Sequence, residues 1–301
     1  MLSVFIFLIS SQIENAIALE PVTFATDWKA QAEQGGFYQA KALGLYEKAG
    51  LNVVIRGGGP GINIPQLLGA NAIDFAMGSN GFILLNMVQA GVPAKAVMAA
   101  FQKDPQVLIT HDRDDINKIS DMKDKPIMIA DASINAFWVW MRARYGFSDK
   151  QIRKYTFNLA PFIVDKNAIQ QGYATSEPFT ISKNGVTPKV FLLSDEGYPS
   201  YAAMVIAQNK LIEEKPEIVQ AFVTASIEGW RSYLMDDPTP GNQLILSSNQ
   251  DMTQDILDQA INQIRDRGLV ISGDALDKGI GTMTRQRWKS FFTLMAENGL
   301  Y

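Results

Sequence analysis

The chain has 301 residues, 47% of them hydrophobic, enough for one large or two medium folded units. A net charge of −4 without a basic tract argues against nucleic acid and anionic membrane surfaces, which need clustered Lys and Arg. There is no cysteine and a single histidine, His111. Thiol catalysis, disulfides, lipid-acylated cysteine, zinc fingers and multi-histidine metal sites are therefore excluded, and a Ser-His-Asp triad could use only His111.

Residues 2–9 form an apolar run, and Ala16-Ile17-Ala18 supplies a small-residue cleavage pattern. Together they predict a signal peptide over residues 1–18, although no Lys or Arg precedes the run. The run is too short for a membrane helix, and Ser10, Ser11, Gln12 and Glu14 follow it. A strand is expected over residues 20–25. The loop Asp27 to Tyr38 comes next, loaded with three aromatics, two carboxylates and a Gly-Gly pair that could let backbone approach a ligand. A helical pattern through Ala40, Leu43 and Tyr46 stops at Gly50.

Further strands are expected at 51–55, 73–77 and 95–101, with helices at 66–70 and 82–89 between them. That alternation predicts a mostly parallel sheet covered by helices. A second α/β unit begins near residue 104. Its expected strands are 106–110, 126–130, 155–159, 173–176 and 190–193. Its helices are 134–145, capped by Asp131 or Ser133 and ended by Gly146, and 162–170. A last strand is placed at 201–207. Helical stripes follow, from Pro216 to Leu234, Ile256 to Ile264 and Met283 to Met295, with Asp237 to Gly241 as a stop. The chain is expected to cross between units near 102–106 and 204–209, leaving a cleft between two lobes.

Gly57 to Gly61 follows a strand but lacks the third glycine of a dinucleotide fingerprint, and Pro60 removes an N–H, so the loop is read as backbone lining a cleft through Gly59. Ser79, between Gly78 and Asn80, is not in a nucleophile-elbow context, and His111 sits in a charged turn. Asp27, Glu33, Asp131 and Glu177 fall at strand ends or loops. Trp28, Phe37, Tyr38, Phe101, Phe137, Trp138, Tyr173 and Tyr198 fall near the same ends, where Lys and Arg are scarce. Aromatic walls with carboxylates and amides suit a flat neutral or protonatable heterocycle; sulfonate, nitrate or phosphate would call for Arg, Lys or helix N-termini.

The ordered set Asp27-Trp28, Gly36-Phe37-Tyr38-Gln39-Ala40, Gly44-Leu45-Tyr46, Gly50-Leu51-Asn52-Val53, Ile73-Asp74-Phe75-Ala76, Gly91-Val92-Pro93, Ile119 to Pro126 and Glu214-Lys215-Pro216 resembles periplasmic substrate-binding proteins of the thiamine-pyrimidine-precursor type. These belong to the wider group that serves nitrate, alkanesulfonate and taurine importers. The resemblance implies a type II periplasmic-binding-protein fold, α/β, with two lobes, a ligand cleft and two hinge crossings. It implies lobe one over 19–103 and 208–301, and lobe two over 104–207. It also implies a periplasmic monomer that needs no cofactor and hands a small ligand to an ABC permease. Carried over residue by residue, Asp27, Trp28, Gly36, Tyr38, Ser79, Asn80 and Glu177 line the cleft.

Pyrimidine-binding relatives often carry Asn-x-Asn-His before the glycine. Here the run is Gln31-Ala32-Glu33-Gln34, with Gln34 at the histidine position. Gly59, Phe101, Trp138 and Tyr198 complete the expected site. The expected ligand is aminopyrimidine-like, with a small anion as the alternative. A pyrimidine-synthesis enzyme of the same group uses histidine, iron and a cysteine-rich motif, and this chain lacks the cysteines and the loop histidine.

Overall fold

A computed structural model describes residues 18–301. The expected signal peptide at 1–18 lies almost wholly outside them. Four strands open the chain: β1 (Glu20–Ala25), β2 (Leu51–Arg56), β3 (Phe75–Asn80) and β4 (Ala94–Phe101). Five more build a second sheet: β5 (Gln106–His111), β6 (Ile127–Ile129), β7 (Ile152–Lys154), β8 (Ile169–Tyr173) and β9 (Pro188–Leu192). Then β10 (Ala202–Gln208) returns to the first. The sheet orders are β2-β1-β3-β10-β4 and β7-β6-β8-β5-β9.

Each sheet is mostly parallel, as expected, with one strand reversed. β1 runs parallel to β2 and β3, but β10 is antiparallel to both of its neighbours. Likewise β6 runs parallel to β7 and β8, while β5 is antiparallel to β8 and β9. The second change of sheet falls between Leu192 and Ala202, because residues 202–208 pair with β3 and β4. The expected crossing at 204–209 is thus one connection too late.

Between 130 and 176 the expected boundaries shift. The single helix over 134–145 is two, Asp131–Ile134 and Phe137–Tyr145, broken at Asn135-Ala136, and neither Asp131 nor Ser133 supplies a side-chain cap. Gly146 does close the second in a left-handed conformation, its N–H donating to Arg142 O. Residues 162–170, expected helical, split into a short helix Ala160–Val164 and the start of β8. Gln170 and Gln171 are buried in that strand, and two polar residues hide a core strand from a hydrophobicity reading. The expected stop at 237–241 does follow the end of the helix Pro216–Met235, and the same stretch opens a helix the sequence did not mark, Thr239–Ser248, with Pro240 tolerated in its first turn.

The helix Pro216–Met235 is the main prop of the first lobe. Phe222 stacks on Phe75 with ring centres 4.2 Å apart, and Trp230 meets Phe37 edge-on at 5.7 Å. Gly35 and Gly36 exist for this packing: a Cβ on Gly35 would lie 2.0 Å from Tyr233, and one on Gly36 2.2 Å from Trp230. Among the described residues no helix is long and apolar enough to cross a membrane.

Candidate functional site

The cleft between the two sheets encloses about 570 Å³, within the range of small-molecule sites. Its first wall is the loop after β1. Thr26 N–H donates to Arg56 O at 2.9 Å, its hydroxyl donates to Trp28 O at 2.7 Å, and Gly58 N–H donates to the same carbonyl at 3.0 Å. The turn carrying Asp27 and Trp28 is therefore pinned to the end of β2. The glycine-rich loop makes this approach possible, since a Cβ on Gly58 would sit 2.3 Å from Thr26 O.

Asp27 is held by one oxygen only. Its Oδ2 accepts from the Ser79 hydroxyl, whereas Oδ1 is shielded from solvent and has no partner. Burial pushes its carboxyl up to about 6, against the lowering effect of Ser79. Glu33 lies further along the loop and is buried. It accepts from the hydroxyl of Thr175, which follows β8 in the other lobe. Burial pushes it to about 7, opposed by that bond and reinforced by Glu177 and Asp27. Asp104, on the first connection between sheets, accepts Gln106 N–H at 2.9 Å and is also raised by burial to about 7. Three desolvated carboxyl groups thus face one cavity.

Aromatic rings close the other sides. Trp28 touches Phe157 of the second lobe with ring centres 4.7 Å apart, and Tyr155 backs Phe157 at 5.1 Å. Phe157 has a positive φ of 61°, is 42% exposed and lines the cleft. Tyr173, Phe137 and Tyr198 line deeper parts. The Tyr198 hydroxyl is a second shielded polar atom without a partner. Among the described residues Lys154 is the one basic residue along the cleft, and it is exposed and paired with Asp131 at 3.3 Å.

Of the expected site residues, the structure brings Asp27, Trp28, Gln34, Gly59, Ser79, Asn80, Phe101, Glu177 and Tyr198 to this cleft. Several are partly occupied. Asn80 Oδ1 caps the helix Gly81–Gln89 by accepting Phe82 N–H at 3.1 Å, and Gln34 Oε1 accepts Gln31 N–H at 3.0 Å. Glu177 already accepts from the Tyr155 hydroxyl at 3.2 Å, Tyr173 N–H at 2.8 Å and the Ser176 hydroxyl at 2.5 Å. It holds the wall together more than it offers a free acceptor.

Three expected residues lie elsewhere. Gly36 is core, under Trp230. Tyr38 points to a separate shallow polar pocket beside Lys29, Ser248 and Asp251. Trp138 is fully buried and its indole N–H donates to Asp149 at 2.9 Å. Asp104, Tyr155 and Phe157 escaped the sequence reading. Phe157 sat inside an expected strand, and Asp104 sits in a connection that periodicity does not mark. Among the described residues no cluster of His, Cys, Asp and Glu could hold a metal ion.

Residues 31–240 match the family described as NMT1/THI5 like. The chain belongs to that family. The match bears out the family resemblance and takes in its motifs from Gly36 to Pro216. Among solved structures, this NMT1/THI5-like chain is similar to the alkanesulfonate-binding protein SsuA of Xanthomonas axonopodis pv. citri bound to MOPS: TM-score 0.66, 11% identity, 93% of each chain covered. It is also similar to the periplasmic nitrate-binding protein NrtA of Synechocystis PCC 6803: TM-score 0.59, 13% identity, 93% of this chain and 82% of that one. At such identities the likeness is one of fold, and the fold is that of type II periplasmic binding proteins. The riboflavin-binding protein RibY of Chloroflexus aurantiacus is 26% identical over 218 residues, 70% of this chain. The matched region spans 62% of that relative.

Proposed function

We propose that the chain is the solute-binding component of an ABC importer, exported to the periplasm. It captures a small aromatic heterocycle rich in N–H donors by closing its two lobes. The observation that carries this reading is Asp27 Oδ1, a shielded carboxylate oxygen facing the cleft without a donor. A buried acceptor in that state costs free energy that a ligand N–H recovers. Glu33 and Asp104 add acceptors, and Trp28, Phe157 and Tyr155 supply ring faces. A sulfonate or nitrate would meet three raised carboxyl groups and, among the described residues, no buried cation, which counts against the anion alternative. Recognition without turnover accounts for the site; an enzyme of the same group is not needed to explain any residue in it.

An aminopyrimidine edge matches Asp27 and its neighbours. A flavin is the second reading, supported by the riboflavin-binding relative and by a cavity of about 570 Å³, roomy for one ring. Thermal-shift titration with an aminopyrimidine, riboflavin, taurine and nitrate tests the proposal. A ligand at a hundred times its dissociation constant stabilises by about 2.7 kcal/mol. Stabilisation by either heterocycle and not by the anions is expected. Selective stabilisation by taurine or nitrate overturns the reading.

A further inference from the structure

The two connections between the sheets, residues 102–105 and 193–201, lie side by side, with Lys103 Nζ paired to Asp195 at 3.3 Å. One side chain from elsewhere binds both. Arg287, near the start of the helix Arg285–Glu297, donates from Nε to Pro199 O at 3.0 Å. Its Nη2 donates to Gln102 O and, at 3.1 Å, to Ser200 O. Its Nη1 reaches Gln102 Oε1 at 3.5 Å. These acceptors all belong to the two connections. The guanidinium lies 4.0 Å from the ring centre of Tyr201, whose hydroxyl donates to Asp274 at 2.7 Å.

We infer that Arg287 is a hinge clamp: a positioning residue, outside the cleft, that couples the two crossings and holds the lobes toward the closed arrangement. The inference rests on the reading that the lobes close on a ligand. The guanidinium fork is suited to the task, because it is planar, always charged and can address several carbonyls at fixed angles. Its own helix is braced against both crossings and the cleft wall. Phe291 packs on Phe82 at 5.1 Å and on Tyr198 at 6.4 Å. Ser200, whose carbonyl Arg287 holds, accepts Gly81 N–H on its hydroxyl at 2.9 Å, directly after Ser79 and Asn80 of the site.

The arrangement in which these bonds exist is a closed one. Trp28 meets Phe157, Thr175 donates to Glu33, and Lys183 pairs with Asp255 at 2.6 Å across the lobes. Splaying the crossings breaks the shared grip of Arg287, so the clamp raises the fraction of chains ready to bind. Apparent dissociation constants scale inversely with that fraction.

The chain has no cysteine, so Lys48→Cys and Lys150→Cys give one label on each lobe for single-molecule distance measurement. Arg287→Lys keeps the charge and stem but replaces the fork by a single nitrogen. In ligand-free protein, well below the unfolding midpoint, it is expected to lengthen and broaden the distance distribution. It should also weaken binding of riboflavin or an aminopyrimidine, whichever probe binds, by roughly threefold or more. Arg287→Met should do more; if it does not fold, Arg287→Lys decides alone. Distances and affinity unchanged in Arg287→Lys overturn the clamp. A wild-type distance that neither probe shortens overturns lobe closure on these ligands, and the ligand-free comparison still decides on Arg287.

Discussion

Replacing Asp27 by Asn should move affinity and stability in opposite directions. Asn preserves the shape and keeps an oxygen for the Ser79 hydroxyl, but it removes the charge and turns a donor toward the cleft. Burial lifts the Asp27 carboxyl from 3.8 to about 6, close to two pKa units. At about 1.4 kcal/mol per unit, the ionised group costs the empty protein about 3 kcal/mol. The sign follows from linkage. The folded value lies above the unfolded one, so the folded chain retains the proton between them. Stability therefore falls as pH rises from about 4 to about 6, and the whole cost applies above that.

At pH 7.5 Asp27→Asn relieves this cost, and the ligand-free melting temperature should rise by about 3–6 °C for a chain of this size. Binding should weaken roughly tenfold to a hundredfold, the worth of one hydrogen bond to a charged acceptor. Differential scanning fluorimetry gives the first quantity. Calorimetric titration, with whichever panel compound stabilises the wild type, gives the second. A lowered melting temperature, or unchanged affinity in a folded variant, would refute the idea that Asp27 waits for a donor.

Affinity for an N–H-donating ligand should climb between pH 5 and 8, as Asp27 (about 6) and Glu33 (about 7) lose their protons. Titrations in buffers of different ionisation heat should show proton release near pH 6, and a flat profile would count against both residues. Trp28→Ala removes the ring that meets Phe157, and affinity by fluorescence titration should drop about tenfold; no change would remove Trp28 from the wall. Thr175→Val strips Glu33 of its hydroxyl donor across the lobes. Denaturant unfolding should show a loss of roughly 1–3 kcal/mol at pH 8 and a smaller one at pH 5, where Glu33 is already protonated. Equal losses at both pH values would mean that the bond does not serve the carboxylate.

Much of the first lobe was legible because its punctuation is local. Gly50 in a left-handed turn, Pro65 in the first turn of its helix, and the short, largely apolar run Val22 to Ala25 each act on their own neighbours. The Asp27 loop was legible for the same reason: an overloaded strand-to-helix connection is visible in the sequence. What failed depended on partners distant in the chain. Gly36 looked like a ligand-facing glycine, yet Trp230, far along the chain, explains it. Trp138 belongs to an aromatic cluster, but the Asp149 carboxylate that takes its N–H determines which way it faces. Asp104 and Arg287 act through backbone groups of connections, and no periodicity marks those. Gln170 and Gln171 disguised β8, which carried the error on to Tyr155 and Phe157.

The position of β10 has a consequence for how the chain must fold. The strand sits in the interior of its sheet, with Ala202 opposite both Asn80 and Phe101, so two neighbours stay unpaired along one edge until residue 208 has been made. By then everything needed for the second sheet, residues 106–192, has been available as one uninterrupted segment. The smaller, contiguous unit is free to form first. The larger one is a discontinuous structure whose closing step spans more than a hundred residues, a separation that slows folding and prolongs exposure of open strand edges.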